Sequence, residues 1–208
     1  MTSRGNLIIV SGPSGSGKST VAAAVLSAVP DLVFSVSYTT REPRKNERDG
    51  ADYYFVTREE FERLVRSGEF LEWAVVYDHY YGTSSRFVDA ALARGQDVLL
   101  DVDVQGARAI RDKRPDAVTV FIMPPSYAVL RERLERRALD KHYVIEQRLR
   151  IACREVTHFR DYHYLIVNQE VERSAEELKA VILASRCRMS SRREWAESVV
   201  SSFGGTDD

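Results

Sequence analysis

Eight consecutive residues near the start of the chain, Gly12-Pro13-Ser14-Gly15-Ser16-Gly17-Lys18-Ser19, have the types and spacing needed to hold a phosphate. They fit the pattern G-x-x-x-x-G-K-[ST]. Glycines let a short loop curl until successive main-chain N–H groups point at one anion. The Lys18 ammonium can reach the outer phosphates of a nucleoside triphosphate, and the Ser19 hydroxyl can help hold Mg²⁺. Thr20 continues into the helix that should follow, whose positive end favours the same anion. The flanks agree, with Leu7-Ile8-Ile9-Val10 reading as a buried strand and residues 19–29 as a helix closed by Pro30. A Gly/Ser-rich turn with a solvated lysine is the competing explanation, and it does not account for those flanks.

Three further groups could do chemistry. In the segment 39–56, Arg41 and Arg44 are followed by Glu47, Gly50 and Tyr53. Two guanidinium forks can grip a terminal phosphate, and a phenol adds a neutral donor. Taken alone, the run reads more readily as a solvated charged hairpin. Asp101 and Asp103 end an apolar stretch at 98–103, and ligands of open α/β sheets collect at such strand ends. Arg133 and Arg137 lie one helical turn apart in a strongly charged helix, with Arg148 on the next one. An exposed helix paired through Glu132 and Glu135 is the plainer reading of that run.

The elements that must position these groups follow from pattern. Strands are expected at 6–10, 32–38, 53–56, 70–77, 98–103, 118–123 and 164–168, and helices at 19–29, 57–67, 86–94, 127–137, 144–159 and 174–185. Thr57 with Glu60 forms a capping box, and residues 80–83 read as a turn. Three or four apolar strands alternating with helices imply an α/β fold with a parallel sheet and right-handed crossovers. Its core should comprise 1–34, 98–125 and 161–186, with a strand-rich insertion at 35–97 and a cationic helical one at 126–160. The tail, 187–208, should be flexible or a loosely docked helix.

Bulk properties remove other classes. The chain has 208 residues, 44% hydrophobic and 29% charged, with a formal net charge of −1. That charge provides no broad basic field for nucleic acid or a membrane surface. No window approaches a membrane-spanning apolar run, and the first residues lack the apolar core of a secretion signal. Cys153 and Cys187 are far apart with no metal spacing, which suits a reduced, cytoplasmic protein. His142, His158 and His163 show no metal spacing either, so surface or packing roles are expected for them.

Residues 39–56 satisfy every fixed position of T-[ST]-R-x-x-[KR]-x-x-[DE]-x-x-G-x-x-Y-x-[FY] followed by a hydrophobic residue. With the phosphate loop, this closely resembles the guanylate kinases, a family of nucleoside-monophosphate kinases. The resemblance spans about 5–185, through Phe34-Ser35-Val36-Ser37, Glu69-Phe70-Leu71-Glu72-Trp73-Ala74, Tyr80-Tyr81-Gly82-Thr83, Leu100-Asp101-Val102-Asp103-Val104-Gln105-Gly106, Pro124-Pro125-Ser126 and Ile166-Val167-Asn168. It implies a P-loop core, a monophosphate-binding insertion at 35–97 and a helical lid at 126–160. The implied reaction is ATP + GMP → ADP + GDP with Mg²⁺, and dGMP as a further substrate.

The resemblance also implies roles. Glu72 would accept the guanine N1–H and N2–H₂ donors, with the Ser37 and Thr83 hydroxyls serving O6 and Gly82 beside them. Arg41, Arg44, Tyr53 and Tyr81 would hold the GMP phosphate, with Glu47 orienting the arginines. Asp101 would join Ser19 at the metal, and Asp103 would lie near the nucleotide beside a cation. Asn168 would lie near adenine, and Arg133, Arg137 and Arg148 would close over ATP. Ala138-Leu139 replaces the family's usual Gly-Thr after the lid helix, which puts the hinge and Arg137 in question. A catalytically dead phosphopeptide-binding module of the same fold is the rival from another class. Such modules usually have degraded phosphate loops, whereas Gly17, Lys18 and Ser19 are intact here. A kinase for another monophosphate is the second rival.

Overall fold

β1 (Leu7–Ser11) is buried at all five positions, as expected of a strand covered on both faces. It is the middle strand of a five-stranded parallel sheet in a computed structural model that describes residues 4–76, 78–136 and 142–204. Its neighbours are β7 (Asp97–Asp101) and β8 (Val118–Met123), and the edges are β2 (Leu32–Phe34) and β9 (Tyr164–Val167). Alternate residues face opposite layers. Ile8, Val10, Leu99, Val120 and Ile122 pack with Val21 and Val25 of α1 (Lys18–Ala28) and Leu178 and Ile182 of α7 (Val171–Ser185). Leu7, Ile9, Val98 and Leu100 pack with Val88 and Leu92 of α3 (Ser85–Ala93) and Ile110 of α4 (Val104–Lys113). Each such fully buried aliphatic side chain contributes about 1.5–3 kcal/mol. Two dense layers therefore hold the ends of β1 and β7, and the loops that leave them, in register.

Two expectations change here. The stretch 32–38 is split, with Leu32–Phe34 joining this sheet and Tyr38–Thr39 (β3) joining a second one. The strand expected at 98–103 ends at Asp101, and α4 follows it, a helix the apolar pattern did not announce. Asp103 caps that helix, its Oδ1 accepting from the Gly106 N–H at 2.7 Å.

The second sheet has the order β4-β3-β6-β5, with β4 (Tyr54–Phe55), β5 (Phe70–Val76) and β6 (His79–Ser84). Residues 80–83, expected as a turn, are strand residues, paired with both β3 and β5. The chain reversal lies just before them, where Asp78 takes φ 66°. Behind the sheet, Phe61 of α2 (Arg58–Arg66) is fully buried and stacks on Phe70 at 4.6 Å and Tyr80 at 5.2 Å. Thr57 caps α2 by accepting from the Glu60 N–H at 3.2 Å. The Glu60 carboxylate pairs forward with Arg63 at 2.7 Å instead of completing the box.

α5 (Tyr127–Arg136) and α6 (His142–Glu155) share a small apolar cluster of Leu130, Leu134, Ile145, Leu149 and Ala152. The helix expected over 144–159 tightens into a 3-10 segment at Val156–Asp161. The tail forms α8 (Met189–Ser202), which has no buried residue and is tied to the core where Ser191 Oγ donates to Asn6 Oδ1 at 2.7 Å.

Candidate active site

The phosphate loop leaves the carboxyl end of β1. Gly12, Gly15 and Gly17 take φ values of 141°, 87° and 93°, conformations that side chains rarely adopt. A Cβ on Gly12 would stand 2.1 Å from the Ile122 carbonyl oxygen, so the close passage of β1 past β8 requires glycine. Lys18 Nζ folds over the loop and donates to Gly12 O at 2.8 Å and Pro13 O at 3.2 Å. Ser16 Oγ is buried with no partner among the described residues, an orphaned polar atom within the anion cradle. Thr20 is exposed on the first turn of α1.

Parallel register sets Val10 beside Asp101, so the strand-end carboxylate stands next to the loop. Ser19 Oγ donates to Asp101 Oδ2 at 2.8 Å. Hydroxyl and carboxylate are hard oxygen donors of the kind Mg²⁺ prefers, and Mg²⁺ ordinarily takes its other ligands from phosphate and water. Among the described residues there is no cluster of three or more His, Cys, Asp or Glu side chains able to bind a metal.

Asn168 follows β9 and lies behind the loop. It is 1% exposed. Its Nδ2 donates to Ser16 O at 2.7 Å, and its Oδ1 accepts from Ser174 Oγ at 3.0 Å. Its side-chain bonds thus run into the protein, towards the loop. Arg133 of α5 reaches the same place, with Nη2 on Asn168 O at 2.9 Å and Nη1 on Ser16 O at 3.3 Å. Arg148 is half-buried on α6, and Arg137 lies outside the described residues.

A second set of groups sits on the four-stranded sheet. Antiparallel pairing puts Glu72 opposite Thr83, whose Oγ1 donates to Glu72 Oε1 at 2.7 Å. Glu72 is 5% exposed. Burial lifts its pKa to about 7, with the Thr83 hydroxyl pulling it down, Asp103 pushing it up and Lys113 pulling it down. The bare Cα of Gly106 backs the other carboxylate oxygen, since a Cβ there would be 2.9 Å from Glu72 Oε2.

Glu47 bridges the two arginines. Its Oε1 accepts from Arg41 Nη2 at 2.8 Å and its Oε2 from the Arg44 N–H at 2.8 Å. Burial works against the Arg41 charge, but Glu47 and the Tyr81 hydroxyl outweigh it and raise the guanidinium pKa. The Arg41 guanidinium lies 5.4 Å from the Tyr53 ring centre, and Tyr53 meets Tyr81 edge-on at 5.9 Å. Burial pushes the Tyr53 phenol up to about 12, so it stays a donor at neutral pH. The Arg44 side chain is exposed. Ser37 precedes β3, and its carbonyl accepts from the Tyr54 N–H at 2.9 Å. Gly82, expected at the substrate, faces the other way. A Cβ there would lie 3.0 Å from the Phe61 and Phe70 rings, because the period of two along β6 turns residue 82 away from Tyr81 and Thr83.

The two halves meet at the end of β7. The Asp101 charge is felt by Tyr53 as well as bonded by Ser19, and Asp103 lies in the fields of Lys18 and Glu72. Sequence reasoning gave no site role to Gly106, Ser174 and Glu155, although Gly106 lies in the run 100–106 that carries the family resemblance. Burial of Glu155 at the end of α6 raises its carboxyl pKa, with the Lys18 charge and the Ser14 main chain of the loop opposing the rise. No local pattern marked these residues, although Asp103 three residues before Gly106 is an ordinary cap signal.

An intact glycine-rich phosphate loop at the carboxyl end of a parallel sheet, with an arginine–tyrosine cluster and a buried carboxylate linked to it through Asp101 and Asp103, defines a phosphate-loop α/β protein. Residues 4–185 match the family model described as guanylate kinase. The chain is 50% identical over 190 residues to the guanylate kinase of Koribacter versatilis (strain Ellin345), covering 90% of this chain and 82% of that one. It is 47% identical over 185 residues to that of Symbiobacterium thermophilum, covering 89% and 88%. The crystal structure of guanylate kinase from Anaplasma phagocytophilum matches with a TM-score of 0.80 at 36% identity, covering 95% of this chain and 96% of that one. The chain belongs to the guanylate kinase family.

Proposed function

We propose that the protein transfers the terminal phosphoryl group of ATP to GMP, giving ADP and GDP. The observation that carries this reading is the buried Glu72–Thr83 pair, linked to an intact phosphate loop through Asp103, which interacts electrostatically with both Glu72 and Lys18. Guanine presents N1–H and N2–H₂ as donors beside the O6 acceptor. An ionised Glu72 accepts both donors, and the Ser37 and Thr83 hydroxyls are assigned to O6. Adenine would strand the buried carboxylate, and sites of this kind discriminate by about 10⁴-fold. Because base and phosphate are what the site reads, dGMP should serve as well.

Arg41, Arg44, Tyr53 and Tyr81 take the GMP phosphate, with Glu47 holding the arginines in place. A phosphate monoester has its second pKa near about 6, so the nucleophile is largely dianionic at neutral pH and needs no general base. Catalysis is then positioning and charge stabilisation. Residues Gly12 to Thr20, with the Lys18 ammonium, cradle the ATP phosphates. Ser19 and Asp101 are the residues that would hold Mg²⁺, which when bound neutralises charge on the phosphates. Arg133 is held beside the loop by its bond to Ser16 O, and Arg148 and Arg137 are assigned with it to a lid over 126–160 that closes on the 1–34, 98–125 and 161–186 core. The 35–97 region carries GMP. Two exposed cysteines without a disulfide suit a cytoplasmic setting.

The test is coupled ADP production with ATP, Mg²⁺ and each of GMP, dGMP, AMP, CMP and UMP. Turnover with GMP and dGMP is expected. A preference for AMP would overturn the roles of Glu72, Ser37 and Thr83. No ADP with any acceptor would favour a binding module of the same fold.

A further inference from the structure

The Ser16 carbonyl is held from outside the phosphate loop by Asn168 Nδ2 at 2.7 Å and Arg133 Nη1 at 3.3 Å. A trans peptide is planar, so its C=O and the following N–H point to opposite sides. Anchoring Ser16 C=O outward therefore aims the Gly17 N–H inward, at the anion cradle. The Asn168 amide can do this in only one of its two orientations. Flipped, it would set Oδ1 against the Ser16 oxygen, acceptor against acceptor. Ser174, which nothing in the sequence singled out, selects the working orientation by donating its hydroxyl to Asn168 Oδ1 at 3.0 Å. Both side chains are 1% exposed, so water competes little for these bonds. Gly17 completes the arrangement. A Cβ there would stand 2.2 Å from Asn168 Nδ2, so only glycine lets the amide approach the loop this closely.

We propose that Ser174 and Asn168 are positioning residues for the donor phosphates, acting by fixing the direction of the Gly17 N–H. The inference rests on the phosphate loop being the donor seat, as in the function proposed above. Neither side chain touches the nucleotide through this network. Its signature is an effect confined to phosphate on the donor side, with the acceptor site unaffected.

Calorimetric binding of magnesium pyrophosphate, ATP and GMP to the full chain and its variants tests this. Pyrophosphate carries no adenine, so any contact of Asn168 with the base leaves it unchanged. Ser174→Ala should weaken pyrophosphate and ATP by about three- to tenfold, the worth of one buried hydrogen bond, and leave GMP within about twofold of wild type. Asn168→Asp, which sets a carboxylate oxygen against Ser16 O, should weaken pyrophosphate further. A folded Ser174→Ala that binds pyrophosphate like wild type would overturn the proposal, as would an equal loss for GMP, which marks general loosening of the fold. Should the alanine variant not fold, the same comparison on Asn168→Asp decides. Wild type that binds pyrophosphate but never phosphorylates GMP would overturn the proposed function and leave this comparison standing.

Discussion

Replacing Glu72 by glutamine separates what this carboxylate costs the fold from what it gives the site. Its pKa rises from 4.5 to about 7 because burial disfavours the ionised form, with Asp103 adding to that and Thr83 and Lys113 opposing it. The folded state therefore keeps this proton to higher pH than the unfolded chain does. Wild-type stability is greatest below the unfolded value, falls as pH rises from 4.5 towards 7, and is fully reduced above that. That rise corresponds to about 3 kcal/mol at pH 8 and about 1 kcal/mol at pH 5. Without nucleotide, Glu72→Gln should be more stable than wild type at pH 8, and its advantage should shrink by about 2 kcal/mol at pH 5. Urea unfolding of both proteins at the two pH values measures this directly. Binding runs the opposite way, because guanine needs the ionised form. From pH 8 to pH 6 the ionised fraction falls about tenfold, and wild-type affinity for GMP should fall with it. Glu72→Gln should show only the roughly twofold change due to the GMP phosphate itself. A stability gap identical at both pH values would refute the reasoning, since it would mean that Glu72 is ionised in the fold throughout.

Lys18→Ala should lower kcat by about 10²–10³-fold with the melting temperature little changed, because among the described residues its ammonium hydrogen-bonds the loop carbonyls Gly12 O and Pro13 O alone. Near-normal turnover would remove the loop from the donor role. Arg41→Ala should cut kcat/KM for GMP by about 10–100-fold while ATP binding changes little, and equal loss for both would mean the seats are exchanged. Gly82→Ala should destabilise the protein by about 1–3 kcal/mol, since the methyl meets the Phe61 and Phe70 rings at 3.0 Å. Chemical denaturation reads that loss, and GMP affinity per folded molecule should be kept because residue 82 faces away from Thr83.

Local patterns were legible where the physics is local. The strand before the phosphate loop, its glycines and the helix after it lie within 7–28, and each neighbour constrains the next through φ, ψ and main-chain bonding. Continuous apolar runs marked β1, β7 and β8 because both faces of a parallel sheet must be covered. The pattern failed where an element is held from outside. Residues 80–83 look like a turn by composition, but β3 and β5 supply strand partners on both sides. α4 carries Gly106 and few apolar residues, and it forms because Ala107 and Ile110 fill the apolar layer against β1 and β5.

The sequence by itself determined a glycine-rich loop of phosphate-binding pattern at 12–19 and a parallel sheet to present it, whereas the assignment of Arg41 and Arg44 to a second anion came only with the family resemblance. Tertiary structure alone decided which groups meet. Register brings Ser19 to Asp101 across 82 positions of the chain, and packing brings Asn168 to Ser16 across 152. The direction of a side chain or a peptide N–H depends on strand order, pairing register and what lies behind it. Those are properties of the assembled layers, and no window of neighbouring residues contains them.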